Sequence, residues 1–178
     1  NAYSDNLKKF PVLYMLDGQN VWDHKNLPWQ GWKVESSMEK LVQEGKIQSA
    51  IVVGISNNRN RTKEYAGWCD ELPDGDVVTD SVEFKRYANE HRLMIVEEII
   101  PFIEANFNVI QDRSGRVIAG SSYGAFCSAY FAASNPEVFS GAGLFSGGST
   151  GFEQIIATDG FNFSSDNKVK FYIDCGTG

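Results

Sequence analysis

Short apolar runs alternate with amphipathic helical stretches along this chain, and that alternation limits the fold more than any other feature. Five runs predict β-strands, and several are apolar throughout, which is typical of strands buried on both faces of a parallel sheet. The predicted strands occupy residues 11–16, 50–55, 116–119, 142–145 and 169–174. Strands that alternate with helices favour right-handed crossovers and a mostly parallel sheet with helices on both faces. The predicted fold class is therefore α/β.

Apolar residues at helical spacing and capping residues predict three helices between those strands. They lie at 34–42, 80–103 and 123–133. Asp80 and Glu83 have the spacing of a capping box. Pro101 should kink or interrupt the second helix, because its ring lacks an N–H and clashes with the preceding turn. The polar stretch 56–79 predicts a long loop, and loops of that length usually carry function.

Composition and charge exclude several classes of protein. The chain has 178 residues, which suits a single domain. Its net charge is −7 and it has no basic patch, so we expect no nucleic-acid partner. No apolar run approaches the roughly 20 residues of a membrane helix, and no signal peptide is visible, so a soluble domain is predicted. Three cysteines without metal-like spacing argue against a disulfide scaffold and a zinc site.

Residues 120–124, with the sequence Gly-Ser-Ser-Tyr-Gly, match the pattern G-x-S-x-G with Ser122 at its centre. This pattern makes a turn so sharp that the serine adopts strained backbone angles, which requires small residues at both flanks. A strand precedes the turn and a helix of small residues follows it, as the pattern demands. We therefore expect Ser122 to be a nucleophile, with the Tyr123 amide at the helix N-terminus donating to an oxyanion.

Several longer motifs recur together in one known family. They are 11–23 (PVLYMLDGQNVWD), 51–56 (IVVGIS), 61–65 (RTKEY), 118–124 (IAGSSYG) and 171–177 (FYIDCGT). Over nearly its whole length the chain resembles the esterase D-like branch of the α/β-hydrolases, which includes enterochelin esterases, feruloyl and acetyl-xylan esterases, S-formylglutathione hydrolase and mycolyltransferases. The resemblance implies an α/β-hydrolase fold and a serine carboxylesterase that needs no cofactor or metal.

The resemblance also implies roles for individual residues. Ser122 would be the nucleophile, and the Tyr123 amide would be one oxyanion donor. The second donor would be the backbone amide of Gln19, in the loop after the first strand; the alternative is that Asp17-Gly18 is merely a turn. The expected partner is a small-molecule or carbohydrate ester substrate. Because tryptophans lie in the loops after the first two strands, a carbohydrate-linked or aromatic ester is favoured, and a siderophore ester is an alternative. A catalytically inactive binding module is the alternative of another class.

A catalytic acid and a histidine would complete the triad, and in this family both follow the last predicted strand. The resemblance therefore places them beyond Gly178, and it places two further strands before residue 1. Residues 1–178 are thus expected to be one partial α/β-hydrolase domain. His91 lies on the apolar stripe of a helix and is expected to be structural. His24 follows the first strand, where a substrate contact is the less favoured alternative. Asp174 belongs to a strand end, which argues against it as the acid.

The four tryptophans fall in or beside the loops after the first two strands, and they are Trp22, Trp29, Trp32 and Trp68. Such loops form the ligand crevice in open α/β sheets, so these rings could stack on an aromatic or sugar group. Alternatively they pack the loops, as we expect for Trp32. In the second loop, Arg59, Arg61 and Lys63 could hold an anionic substrate, or they could pair with Glu64 at the surface.

Overall fold

Five parallel strands form one sheet in the part of the chain that the structure describes. This computed structural model describes residues 8–23, 31–69, 72, 78, 80–147 and 168–174. The sheet has the order β2-β1-β3-β4-β5. The strands are β1 Val12–Leu16, β2 Ile51–Ile55, β3 Arg116–Ser121, β4 Gly141–Phe145 and β5 Lys170–Asp174. The predicted α/β class is confirmed, with every predicted strand present.

Helices connect the strands on both faces of the sheet. The α-helices are α1 Val34–Gln43, α2 Arg61–Ala66, α3 Ser81–Leu93, α4 Ile100–Asn106 and α5 Tyr123–Ser134. A π-helical segment, Met94–Ile99, joins α3 to α4, and short 3-10 turns occupy Gly18–Asn20 and Arg113–Gly115. Helix α1 begins the crossover from β1 to β2, whereas α3, α4 and α5 belong to the crossovers to β3 and β4.

Alternate residues of each strand face opposite layers, so β1 contributes to two separate clusters. Val12, Tyr14 and Leu16 belong to the main core, which also contains buried apolar residues of α3, α4 and α5. Met15 belongs to a smaller cluster on the other face, with Val34 of α1 packed against it. Right-handed crossovers explain this division, because the chain moves towards one sheet edge after β1 and towards the other edge after β2.

The burial of β2 differs from the sequence-based prediction. Its apolar run predicted a strand buried on both faces, but only Ile55 is buried, and the rest of β2 is half-buried or exposed. The reason is its place at the edge of the described sheet, where one neighbouring strand rather than two covers it. β5, at the other edge, is likewise mostly exposed.

Helix α2 lies inside the stretch that was predicted to be a loop. It spans six residues, which is too short for an apolar stripe to repeat. Its Tyr65 is completely buried in the main core, so tertiary packing rather than local propensity holds it.

The predicted cap of the second long helix is confirmed. The Asp80 carboxylate accepts a hydrogen bond from the Glu83 amide at 2.9 Å. The predicted interruption at Pro101 takes the form of the π-helical segment before it, in which Ile100 N–H donates to the Ile95 carbonyl, five residues back. Pro101 itself lies at the start of α4, where the missing N–H is least costly.

No helix among the described residues has the length and apolar character to cross a membrane. Cys69 and Cys127 are buried in the main core. Burial raises the pKa of the Cys127 thiol well above its ordinary value.

His91 is a buried part of the core, as its place on the apolar stripe predicted. Its ring stacks on Tyr65 at 5.3 Å between centroids and lies 5.5 Å from the ring of Phe131. The buried Nδ1 atom has no hydrogen-bond partner among the described residues. Burial lowers the pKa of His91 to about 4, although the negative charge of Asp17 acts in the opposite direction.

This lowered pKa predicts that acid destabilises the fold through His91. Between the unfolded pKa of about 6.5 and the folded pKa of about 4, the unfolded chain binds a proton that the folded chain does not. The contribution of neutral His91 to the free energy of unfolding is therefore complete above pH 6.5. It is lost as the pH falls to 4, and the loss is roughly 3 kcal/mol at most.

Urea denaturation of the parent and of His91→Phe, at several pH values from 7.5 to 4.5, measures this effect. The variant keeps an aromatic ring against Tyr65 but cannot bind a proton, so its free energy of unfolding should fall less as the pH falls. Equal pH dependence in the two proteins would contradict the prediction.

Candidate functional site

The loops after β1 and β3 lie side by side at the carboxyl edge of the sheet. β1 pairs in parallel with β2 on one side and with β3 on the other, and the chain visits β2 first. The strand order therefore reverses between β1 and β3, and such a switch point is where open α/β sheets bind ligands. Asp17 follows β1 here, and Ser122 follows β3.

Ser122 lies between the end of β3 and the start of α5, as its motif predicted. Its backbone angles are φ 56° and ψ −124°, a conformation that a residue with a side chain seldom adopts. Hydrogen bonds to the N–H and to the carbonyl of Ser122 hold it in this conformation. The Ser122 N–H donates to the Phe145 carbonyl of β4 at 2.9 Å, and the Ser122 carbonyl accepts from the Ala125 N–H at 2.9 Å.

The first glycine of the motif is required by a close approach of two backbones. A Cβ atom at Gly120 would lie 2.4 Å from the carbonyl oxygen of Gly124 and 2.5 Å from its carbonyl carbon. At Gly124 the nearest atom to such a Cβ would be an Asp17 carboxylate oxygen at 3.3 Å. The first turn of α5 can therefore rest directly on the end of β3.

The Tyr123 amide, predicted to be an oxyanion donor, belongs to the first residue of α5. The first amides of a helix have no partner in the helix, and the helix dipole places partial positive charge there. A negative charge that forms beside Ser122 would lie at the N-terminus of this 12-residue helix and would be stabilised by its partial positive charge.

Gln19, the other predicted oxyanion donor, lies in the 3-10 turn that follows β1. In that turn Asn20 N–H donates to the Asp17 carbonyl and Val21 N–H donates to the Gly18 carbonyl, so the turn does not use the Gln19 amide. The Gln19 side chain is held by the β2 loop, because its Oε1 accepts from the Asn57 N–H at 3.1 Å. Gly18 packs so closely on β2 that a Cβ there would lie 2.4 Å from the Gly54 carbonyl carbon.

Asp17 is the charged residue that anchors this turn, and sequence reasoning missed its role. It is 2% exposed and adopts the left-handed conformation, with φ 56° and ψ 45°. Its carboxylate accepts two bonds from Arg61, from Nε and from Nη2, each at 2.7 Å. It also accepts from Asn57 Nδ2 at 2.5 Å, while its own N–H donates to the Tyr65 hydroxyl oxygen at 3.1 Å. The only sequence signal was Asp-Gly after a strand.

Arg61 pairs with the buried Asp17 and not with Glu64, which was one of the two alternatives that the sequence left open. Burial alone would lower the pKa of Arg61, but the bonds and the charge of Asp17 more than offset it and raise that pKa. Lys63 pairs with Glu83 at 2.6 Å, and Glu64 accepts from Asn58 Nδ2 instead. Sequence spacing could not reveal these partners, because Asp17 and Arg61 are 44 residues apart.

The tryptophans do not form a common rim in the described residues. Trp68 is buried in the main core and stacks on Tyr130 at 4.1 Å between centroids, so it does not line a crevice. Trp22 and Trp32 are half-buried and pack against the smaller cluster around Met15. Trp29 and His24 lie outside the described residues.

A cavity of about 890 Å³ lies against the sheet face that carries α1. Residues of all the strands except β2 and of α1 line it, and Trp32 lines it too. Its described lining includes Ser121 and Ser146 but not Ser122, so it adjoins the sharp turn without enclosing the hydroxyl. Asp174, at the strand end as predicted, also borders this cavity.

The described residues contain no cluster of three or more His, Cys, Asp or Glu side chains that could hold a metal ion. They place His91 in the core, with a pKa that keeps its imidazole neutral at pH 7. The fold and this turn define the class: an α/β-hydrolase-type fold with a strained serine between a strand and a helix.

Comparison with known proteins then defines the family. A family model described as "Putative esterase" matches residues 1–168, and the chain belongs to this esterase family. An endo-1,4-β-xylanase/feruloyl esterase of Xylanibacter ruminicola is 30% identical over 176 residues, which cover 96% of this chain and 20% of that protein. YbbA of Bacillus subtilis is 25% identical over 146 residues, which cover 82% of this chain and 53% of that protein.

Solved structures agree with the fold. A ferulic acid esterase matches with a TM-score of 0.57 and 26% identity, over 82% of this chain and 48% of that structure. An IroE-like serine hydrolase from Shewanella oneidensis matches with a TM-score of 0.67 and 20% identity, over 99% of this chain and 66% of that structure. The chain spans only part of each of these relatives.

The approach of Gly120 to Gly124 predicts that the two glycines differ in their tolerance of a side chain. Gly120→Ala must push α5 away from β3, and we expect it to lower the free energy of unfolding by about 1–3 kcal/mol. Gly124→Ala, where the nearest atom would be 3.3 Å away, should lower it less. Urea denaturation of the two variants and the parent measures the difference, and a Gly120→Ala protein as stable as the parent would contradict it.

Proposed function

We propose that this protein is a serine carboxylesterase in which Ser122 is the nucleophile and the backbone amides of Tyr123 and Gln19 bind the oxyanion. The observation that carries the proposal is the strained backbone of Ser122 at the strand-to-helix turn, with φ 56°, at the switch point of the sheet. A fold keeps such strain where a side chain must be presented in one fixed direction. The family and its feruloyl esterase relative support ester hydrolysis.

The proposed reaction has two halves. The Ser122 hydroxyl oxygen attacks the ester carbonyl carbon, its proton passes to a histidine, and the carbonyl oxygen becomes the oxyanion that the two amides stabilise. The alcohol leaves with the proton from the histidine, and an acyl-enzyme remains on Ser122. Water then repeats these steps and releases the acid. The proposal also requires a histidine and its acid, and His91 does not supply this base because it packs in the core against Tyr65 and Phe131.

The proposed substrate is a carbohydrate-linked or aromatic carboxylic ester. Two relatives are a feruloyl esterase and a ferulic acid esterase by name, and ferulic esters belong to this class. Trp22 supports the assignment, because it is half-buried and lies two residues after the turn that contains Gln19. An aromatic ring at this place could stack on an aromatic acyl group.

Substitution of the nucleophile tests the mechanism. In the protein at its full natural length, Ser122→Ala should lower kcat/KM for methyl ferulate and p-nitrophenyl acetate by about 10³-fold or more, because the covalent route is lost. Ser128→Ala is the matched control: it lies on α5, its buried hydroxyl has no partner among the described residues, and its removal should leave turnover near the parental rate.

A second measurement locates the covalent bond. Phenylmethylsulfonyl fluoride should add one sulfonyl group to the peptide that contains Ser122, as detected by mass spectrometry, and no such adduct should form in Ser122→Ala. Parental turnover in Ser122→Ala would refute the nucleophile. Absence of turnover and of adduct in the folded parent would favour the inactive binding module.

A further inference from the structure

Arg61 touches both loops that contain the proposed oxyanion donors. Its guanidinium makes two bonds to Asp17, the residue immediately before the turn that contains Gln19. The same guanidinium lies 5.6 Å from the ring centroid of Tyr123, whose amide is the other proposed donor. It also lies 4.9 Å from the ring centroid of Tyr65. One side chain on α2 therefore connects β1 and α5 at the carboxyl edge of the sheet.

Residues from other parts of the chain hold Asp17, at the start of the turn after β1, by hydrogen bonds. Asp17 is in a left-handed conformation that most side chains avoid, and the residues that hold it come from outside its own loop. Two of its three carboxylate bonds come from Arg61 and one from Asn57. If Arg61 were removed, a buried carboxylate would lose its counter-charge and two of its three hydrogen bonds.

The geometry also explains why the anchoring residue is arginine. A guanidinium offers two parallel N–H donors to a carboxylate and a flat face to aromatic rings at the same time. A lysine ammonium can neutralise Asp17 but cannot do both. The Nε and Nη2 atoms of Arg61 are bonded to Asp17, so its charge is already paired and is not offered to an anionic substrate.

We propose that Arg61 is a positioning residue for the oxyanion site: through Asp17 and the ring of Tyr123 it fixes the backbone amides of Gln19 and Tyr123 relative to each other. This inference rests on the proposed function, since it assigns those amides to the oxyanion. In this proposal Arg61 acts through those two amides and not by contact with the ester. Amides that are fixed in advance stabilise the transition state without reorganisation, so their displacement lowers kcat more than it alters substrate binding.

The test compares Arg61→Lys with Lys63→Met in the full-length protein. Arg61→Lys should lower kcat by about 10- to 100-fold with KM within about twofold of the parental value, a smaller loss than the removal of a whole donor. Affinity for a trifluoromethyl ketone analogue, which forms an oxyanion on the serine, should fall by a similar factor. Lys63→Met removes the other ion pair of α2, the one with Glu83, and should leave both quantities near the parental values.

Stability measurements distinguish a loss of activity in the folded variants from a loss of folding. Urea denaturation of each variant shows whether the assay temperature lies well within the folded range, and Asp17→Asn provides a second disruption of the same pair. A parental kcat in folded Arg61→Lys, or a raised KM with unchanged kcat, would overturn the proposal. Unfolding of both Arg61→Lys and Asp17→Asn would also overturn it, because the pair would then serve the fold as a whole.

The nucleophile variant separates the two proposals. If Ser122→Ala retains turnover, the proposed function fails. If Ser122→Ala is inactive and folded Arg61→Lys is as active as the parent, the serine mechanism stands and only the positioning role of Arg61 fails.

Discussion

The carboxylate of Asp17 is buried at the point where the sheet reverses its strand order, and the arrangement of the site depends on it. An unpaired carboxylate there would be very costly, and its charge is instead matched by the guanidinium of Arg61 and a bond from Asn57. Buried ion pairs add little net stability, because desolvation offsets most of the attraction. In this structure the pair joins two loops, because Asp17 follows β1 whereas Asn57 and Arg61 follow β2.

The parallel sheet also restricts where the loops after β1 and β3 can lie. β1 and β3 are hydrogen-bonded neighbours in parallel register, so the residues that follow them emerge at the same edge. Close packing leaves little freedom there: Gly18 rests on Gly54, and the end of β3 rests on the first turn of α5. The strained Ser122 is tied to β4 through the Phe145 carbonyl. Neighbouring strands thus hold a conformation that the serine would not adopt by itself.

The elements that depend on local patterns could be predicted from the sequence. Apolar runs predicted the five strands, and G-x-S-x-G predicted the turn around Ser122, because these features are properties of neighbouring residues. Contacts between distant residues could not be predicted in this way. Helix α2 is too short for periodicity, and the Asp17–Arg61 pair joins residues 44 positions apart. The packing of Trp68 on Tyr130 and the exposure of β2 depend on which elements become neighbours, which no local pattern encodes.

The contrast between His91 and Asp17 shows how one core can hold two polar groups in opposite ways. His91 is surrounded by the rings of Tyr65 and Phe131, and burial keeps its imidazole neutral at pH 7. Asp17 is equally buried, but Arg61 provides the matching charge and the bonds. Tyr65 contacts both groups, through its ring to His91 and through its hydroxyl oxygen to the Asp17 amide. A change at Tyr65 would therefore disturb the core and the turn that contains Gln19 together.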